Sequence, residues 1–197
     1  MRKIPGVWIA QLLRTPDALK APVDPMNGSR DNRISQLYEG TTGIQALDLL
    51  GRKVLMTQGQ ALKNFTKMVH TLCKEEADNA EMAPFIAPLV ELNKEWGDIT
   101  LKIGMKAMKN KDEVGAASVD YAMYSGYITL AYMWARMAKV ALEKLAEGTD
   151  EDDFYKAKVI TARFYFERML PRTRGLVATM TSGADNLMDL DAEMFSF

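Results

Sequence analysis

The residues best placed to do chemistry stand close together early in the chain, in the run Arg30-Asp31-Asn32-Arg33-Ile34-Ser35-Gln36-Leu37-Tyr38-Glu39-Gly40-Thr41-Thr42-Gly43-Ile44-Gln45. Glu39 falls on a glycine-containing turn between an extended stretch and a predicted helix. A carboxylate there can reach into a cleft with little competition from its neighbours, and Gly40 lets the backbone come close to a ligand. By itself, however, the string also fits an ordinary helix start. Most glutamates before a glycine are solvated turn residues, Thr41 or Thr42 could simply cap the following helix, and Arg30 with Asp31 could be a local ion pair.

Many positions agreeing at once shift that balance. Arg30-Asp31-x-Arg33-Ile34 leading into Tyr38-Glu39-Gly40-Thr41, with Ile44-Gln45 close behind, resembles the active-site signature of the flavin-dependent acyl-CoA dehydrogenases. The continuation Ala46 to Lys53 is similar to a subgroup of larger members that carry an extra helical domain. So is the end of the chain, from Asp153-Phe154-Tyr155 through Arg163-Phe164-Tyr165 and Leu170-Pro171 to Gly183-Ala184-Asp185. The resemblance covers residues 30 to 197. It implies three parts: an atypical segment 1–29, the end of a catalytic domain at 30–54, and a C-terminal helical domain at 55–197.

The resemblance also implies a mechanism. Glu39 is the general base that removes the proton alpha to an acyl-CoA thioester, and the beta hydrogen leaves as hydride to FAD, giving a trans-2-enoyl-CoA. The backbone N–H of Glu39 is one donor to the thioester carbonyl, Tyr38 and Gly40 flank the acyl group or thioester, and Thr41 and Gly43 contact FAD. Such a base acts on a weak C–H acid only while the carbonyl is polarised. Burial beside an acyl chain is expected to raise its pKa toward working pH. Electron-transfer flavoprotein is the implied electron acceptor, and a homo-oligomer the implied assembly.

The family also has a helical domain and a β-domain before this motif. Only about 30 residues precede Arg30, and Pro22-Val23-Asp24-Pro25 echoes the family pattern only faintly. The expectation is a C-terminal portion of such an enzyme, from a split gene or a fragment, inactive alone. Two further readings stay open: a non-catalytic helical assembly module derived from the enzyme, and an acyl-CoA oxidase.

Composition sets the outer limits. The chain has 197 residues, 48% of them apolar, enough for one sizeable core. A net charge of −1 gives no case for nucleic-acid binding. The single cysteine, Cys73, allows no internal disulfide and points to a reducing, cytoplasmic setting. No apolar stretch is long and charge-free enough to span a bilayer, and the basic-then-apolar start lacks a convincing secretory cleavage site.

Periodicity predicts an all-α antiparallel helical bundle to carry these groups. Leu62, Phe65, Val69 and Leu72 form one stripe. Phe85, Leu89, Leu92, Trp96, Ile99 and Ile103 form a second. A third runs through Val119, Met123, Gly126, Leu130, Met133, Met137 and Val140, flanked by tyrosines and Trp134. It predicts the most buried helix, with Gly126 admitting a close neighbour. Tyr155, Val159, Ala162, Phe166 and Met169 make a fourth, which Pro171 kinks or ends. Breaks are expected at Thr57 to Gln60, Asp78 to Pro84, Asn110 to Gly115 and Glu147 to Asp153.

Other reactive residue types have plainer readings. His70 is the only histidine, so the paired Glu-x-x-His motifs of a di-iron bundle are not available and no metal is expected. Cys73 has no activating partner in sequence and reads as a core or boundary residue. Lys102, Lys106 and Lys109 share a helical face that is either solvated or a dock for an acidic partner or CoA phosphates. The acidic loop Gly148 to Asp153 suits a helix N-terminus.

Overall fold

The computed structural model describes residues 41–195, and every described regular element is helical. The first helix, α1 (Thr42–Leu47), runs on as a π-helical stretch, Asp48–Leu55. There Asp48 pairs with Arg52 at 2.6 Å and Lys53 at 3.3 Å, four and five residues on. A wide π turn brings both to the same side. The stretch ends in two consecutive positive-φ residues, Gln58 (54°) and Gly59 (75°), and the Gly59 N–H donates to the Val54 carbonyl at 2.8 Å. This left-handed turn starts α2 (Gln60–Glu75), at the first expected break.

Three longer elements follow: α3 (Ala83–Ala107), α4 (Asp112–Glu147) and α5 (Asp152–Phe164). Pro84 sits in the first turn of α3, where its missing N–H costs nothing. Pro88 lies inside the same helix, still near its start. The turns between α2, α3, α4 and α5 fall at the predicted breaks, and successive helices pack against each other across them, as an antiparallel bundle requires. After α5 the chain widens into a second π turn (Tyr165–Met169). It then tightens into a 3-10 turn around Pro171 (Leu170–Arg172) and continues as α6 (Thr173–Ser182). Pro171 thus ends the fourth stripe as expected, and α6 is an added helix. A short α7 (Asp185–Met188) precedes the terminal 3-10 turn Ala192–Phe195.

The spine is α4, which packs on α3, α5, α6 and the first π stretch. It is the most internal helix, but its buried face differs from the expected one. Val119, Met123, Leu130, Met133 and Val140 are exposed, whereas Tyr121, Tyr124, Ile128, Trp134 and a series of alanines (117, 131, 135, 138 and 141) are buried. Both stripes are apolar, so periodicity alone could not choose between them. The tyrosines and small residues won because they pack closely while their hydroxyls find partners. Gly126 is exposed and a Cβ there would meet nothing, so the close approach expected at that glycine does not occur. It occurs instead at Gly104, where a Cβ would lie 3.3 Å from a Leu55 methyl.

The other three stripes bury as predicted, through Leu62, Val69 and Leu72, then Phe85, Leu89, Trp96, Ile99 and Ile103, then Val159, Ala162 and Phe166. Each fully buried aliphatic or aromatic side chain contributes about 1.5–3 kcal/mol. Phe65 stands edge-on to Trp96 (5.9 Å between centroids) and to Tyr132 (5.6 Å), tying α2, α3 and α4 together. Phe85 meets Phe166 in the same way at 5.3 Å. Lys158 is buried with its ammonium over the rings of Phe154 (5.2 Å) and Trp134 (6.0 Å), within cation–π range.

Candidate functional site

Of the residues singled out in the sequence, Tyr38, Glu39 and Gly40 lie outside the described residues. Thr41 and Gly43 lie within them. Thr41 immediately precedes α1, Gly43 is its second residue, and both are exposed. Nothing lies within 4 Å of where a Cβ on Gly43 would be.

The helix that begins here is firmly held. Ala46, Leu50 and Val54 are buried, and the π stretch packs on α4 and α2. Beside it opens an apolar groove of about 1360 Å³. Its lining includes Ile44, Leu47 and Met56, together with Gly97, Leu101 and Met105 of α3 and Met108 just past that helix's end. Arg52, Lys63, Lys94 and Lys111 stand along it with a single acid, Asp48, which is already paired with Arg52. Leu101 and Met105, with Met108 just past the helix end, make a second, exposed apolar face at the C-terminal end of α3. The sequence carried this signal, but the stronger Phe85-to-Ile103 stripe masked it.

Polar pairs between helices fix the frame of the bundle. Tyr121 and Thr100 share a hydrogen bond of 2.8 Å between α4 and α3, and the Tyr124 hydroxyl donates to Glu95 at 2.6 Å. Burial pushes both phenols above their ordinary range, and for Tyr124 the adjacent carboxylate adds to the effect. The Tyr165 hydroxyl donates to the Tyr127 carbonyl at 2.9 Å, and burial raises its pKa too. Glu76, just past α2, takes an ion pair of 2.5 Å from Lys139 on α4. The hydrogen bond from Lys139 holds the carboxyl below its usual range despite burial.

The basic face expected at Lys102, Lys106 and Lys109 is divided by the fold. Lys106 pairs with Glu113 at 3.6 Å and donates to the Thr181 carbonyl at 3.3 Å, whereas Lys102 and Lys109 are exposed and Lys109 lies beyond the end of α3. Glu113 also accepts the Ala184 N–H at 3.3 Å. This accounts for the Gly183-Ala184-Asp185 string noted in the sequence. Gly183 has φ +97°, and a Cβ there would lie 3.3 Å from both Glu113 Oε1 and Lys106 Nζ. Only glycine fits easily on both counts.

His70 is exposed and Cys73 is buried, the latter with its thiol pKa pushed up by burial. A protonated buried thiol is a poor nucleophile. The loop before α5 places Asp152 and Asp153 in that helix's first turn, where carboxylates oppose the helix dipole. Among the described residues no group of three or more His, Cys, Asp or Glu is placed to hold a metal ion, and no helix is long and apolar enough to cross a membrane.

Comparison with known proteins gives this scaffold a relationship. A family model described as acetyl-CoA dehydrogenase C-terminal like matches residues 65–191. The chain is 31% identical over 177 residues to the broad-specificity linear acyl-CoA dehydrogenase FadE5 of Mycobacterium tuberculosis, covering 84% of this chain and 28% of that protein. It is also 31% identical over 160 residues to the 3-methylmercaptopropionyl-CoA dehydrogenase of Ruegeria pomeroyi, covering 81% and 27%. A butyryl-CoA dehydrogenase of Syntrophomonas wolfei is 28% identical over 174 residues, covering 87% and 28%. The chain therefore spans little more than a quarter of the length of these curated relatives. A helical bundle whose matched region runs from α2 to the residues after α7 belongs to the acyl-CoA dehydrogenase C-terminal family.

Proposed function

We propose that this chain is the C-terminal part of an FAD-dependent acyl-CoA dehydrogenase that converts acyl-CoA to trans-2-enoyl-CoA. In this reading residues 30–54 close the catalytic domain and residues 55–197 form the additional helical domain. The observation that carries it is the joint occurrence of the Tyr38-Glu39-Gly40-Thr41 run and a family match over residues 65–191. The relatives' names, all acyl-CoA dehydrogenases, support it.

Glu39 takes the alpha proton of the acyl thioester onto its carboxylate, and its backbone N–H polarises the thioester carbonyl. Tyr38 and Gly40 hold the acyl portion in line with the base. Thr41 and Gly43, exposed at the start of α1, contact the cofactor. FAD, held in part by Thr41 and Gly43, would supply the hydride acceptor, so that the beta hydrogen leaves with both electrons of its C–H bond while the alpha proton goes to Glu39. Electron-transfer flavoprotein then takes the electrons, in a cytoplasmic setting. The remaining walls of the pocket belong to polypeptide that this chain, at 28% of its relatives' length, does not contain. The described bundle serves as a rigid support for α1.

The first experiment is a visible absorbance spectrum of the purified chain after incubation with FAD and removal of free cofactor. A folded, helical chain without a flavin band is expected, and a retained band would overturn the reading of an incomplete cofactor site. Supplying the upstream dehydrogenase portion as a second polypeptide should then restore acyl-CoA-dependent reduction of an electron acceptor. Glu39→Gln should abolish that reduction, and equal activity would remove Glu39 as the base. The short span relative to the relatives also favours a second reading, a helical assembly module without catalysis. It predicts no activity even when the upstream portion is present. Reduction of oxygen in place of the flavoprotein acceptor would identify an oxidase.

A further inference from the structure

We infer that the C-terminal segment is a strap that closes over this chain's own groove, turning about the irregular residues 189–191 and held by its acids against the groove's lysines. The device is independent of the chemistry proposed for Glu39. The root of the segment is fixed, because the Glu113 carboxylate accepts the Ala184 N–H at 3.3 Å and Lys106 donates to the Thr181 carbonyl at 3.3 Å. After α7, and before the terminal 3-10 turn, residues 189–191 form no regular element. Leu187, Met188, Leu190 and Met194 are each more than half exposed. Asp185, Asp189, Asp191 and Glu193 stand among them, with no base between Asp185 and Met194.

The groove has the complementary character. Leu101, Met105 and Met108 in its lining are also more than half exposed. Lys63, Lys94 and Lys111 line it too, and none of them has a carboxylate partner among the described residues. Asp189 and Asp191 likewise have no cationic partner among the described residues. Laying the strap along the groove therefore removes apolar surface from water on both sides and brings these acids to these bases.

Position and reach both fit. A smaller cleft of about 450 Å³ is lined by Leu187 and Met188 together with Leu47, Lys111 and Val114, and the last three also line the groove. The segment thus leaves the bundle beside its own groove. From Met108 back to Lys94 the lining along α3 spans about 21 Å at the helical rise. An extended chain starting at Met188 covers about 20 Å by Met194. Leu190 can therefore meet Met108 and Met105, and Met194 can meet Leu101, with nothing before residue 189 displaced. Closure needs no second copy, because the tether keeps the strap at a high effective concentration next to the surface it covers.

The test is the distance between two spin labels on the full chain, attached through Lys102→Cys on α3 and Ala192→Cys on the strap. Both positions are exposed and neither lines the groove, and the native Cys73 is buried and stays unlabelled. Pulsed dipolar measurements should show a short-distance population that shrinks as salt rises, because exposed charge pairs are screened. Asp191→Lys should lower the ratio of closed to open strap about threefold or more. Leu101→Asp should lower it from the groove side. Lys94→Glu should weaken closure as well, and combining it with Asp191→Lys should recover the short distance. All three sites are exposed, so helical circular dichroism should be unchanged. The short distance should also survive dilution of the doubly labelled chain into excess unlabelled chain. Its loss on that dilution would hand the groove to a second copy and overturn the inference. A single long distance, indifferent to salt and to these substitutions, would make the segment a solvated tail and overturn it equally.

Discussion

Lys106, at the end of α3, meets Glu113, in the first turn of α4, at 3.6 Å, and together they fasten the Gly183–Ala184 turn through the Thr181 carbonyl and the Ala184 N–H. One ion pair thus joins the α3–α4 turn to the beginning of the C-terminal segment, more than 70 residues away in sequence. Gly183→Ala should test the fastening most directly. The new methyl meets both charged groups, and alanine at φ +97° is strained. The expected loss is about 1–3 kcal/mol, read from the urea midpoint. Glu113→Leu and Lys106→Met should each destabilise the fold, and the double variant should lose less than their sum.

The pair between Glu76 and Lys139 makes stability depend on pH at both extremes. The Glu76 carboxyl is held below its ordinary 4.5 by the Lys139 hydrogen bond. Its contribution is therefore complete above 4.5 and lost as pH falls through the lower folded value. The Lys139 ammonium is raised above 10.5 by the same bond, so its contribution is complete below 10.5 and lost as pH rises through the higher folded value. Glu76→Gln should flatten the acid limb of a stability–pH profile measured by thermal unfolding. At neutral pH it should cost about 1–3 kcal/mol, because Lys139 loses its charged acceptor.

Three of the seven tyrosines, Tyr121, Tyr124 and Tyr165, are raised above the ordinary phenol range by burial and should ionise later than the others while the fold persists. Absorbance near the tyrosinate band during alkaline titration should rise in two phases, the second coinciding with loss of helical signal. Tyr124→Phe should remove amplitude from the second phase and leave the Glu95 carboxylate without its 2.6 Å donor. The loss of that charge-assisted bond is expected to cost about 1.5–3 kcal/mol.

Gly126 offers an opposite outcome. It sits on the exposed face of α4 with nothing near its missing Cβ. Gly126→Ala should stabilise the protein by about 0.5–1 kcal/mol, seen as a higher melting temperature. A loss would show that a neighbour does approach this face.

Much of the fold could be read from the sequence because its helices are separated by strong punctuation. Gly59, Pro84, Asn110 and Gly148 fall at or beside the ends of α2, α3 and α4, and the stripes through Val69, Leu89 and Val159 are buried as their spacing implied. The face of α4 was not legible, because Met123 and Met133 are as apolar as Tyr121 and Trp134. The choice depended on partners such as Thr100 and Glu95, which only the assembled bundle provides. The same holds for Lys106, whose place on a charged stripe concealed its bond to a carbonyl 75 residues away. Thr41 and Gly43 stand exposed at the start of α1, while Tyr38, Glu39 and Gly40 lie outside the described residues, so the chemistry attached to them rests on the motif.

The alanines at 117, 131, 135, 138 and 141 line the buried side of α4 with small side chains. A seam built from the smallest side chain has no slack in either direction. Glycine would loosen the helix, while each added methylene would push on a neighbour that has nowhere to go, at about 1–3 kcal/mol. These positions act as a gauge for the spacing between α4 and the elements around it. A library selected for greater heat resistance should therefore return few changes there. Its gains should gather on the outer side of the same helix, around Met123, Gly126 and Met133, where substitutions can vary without moving the backbone.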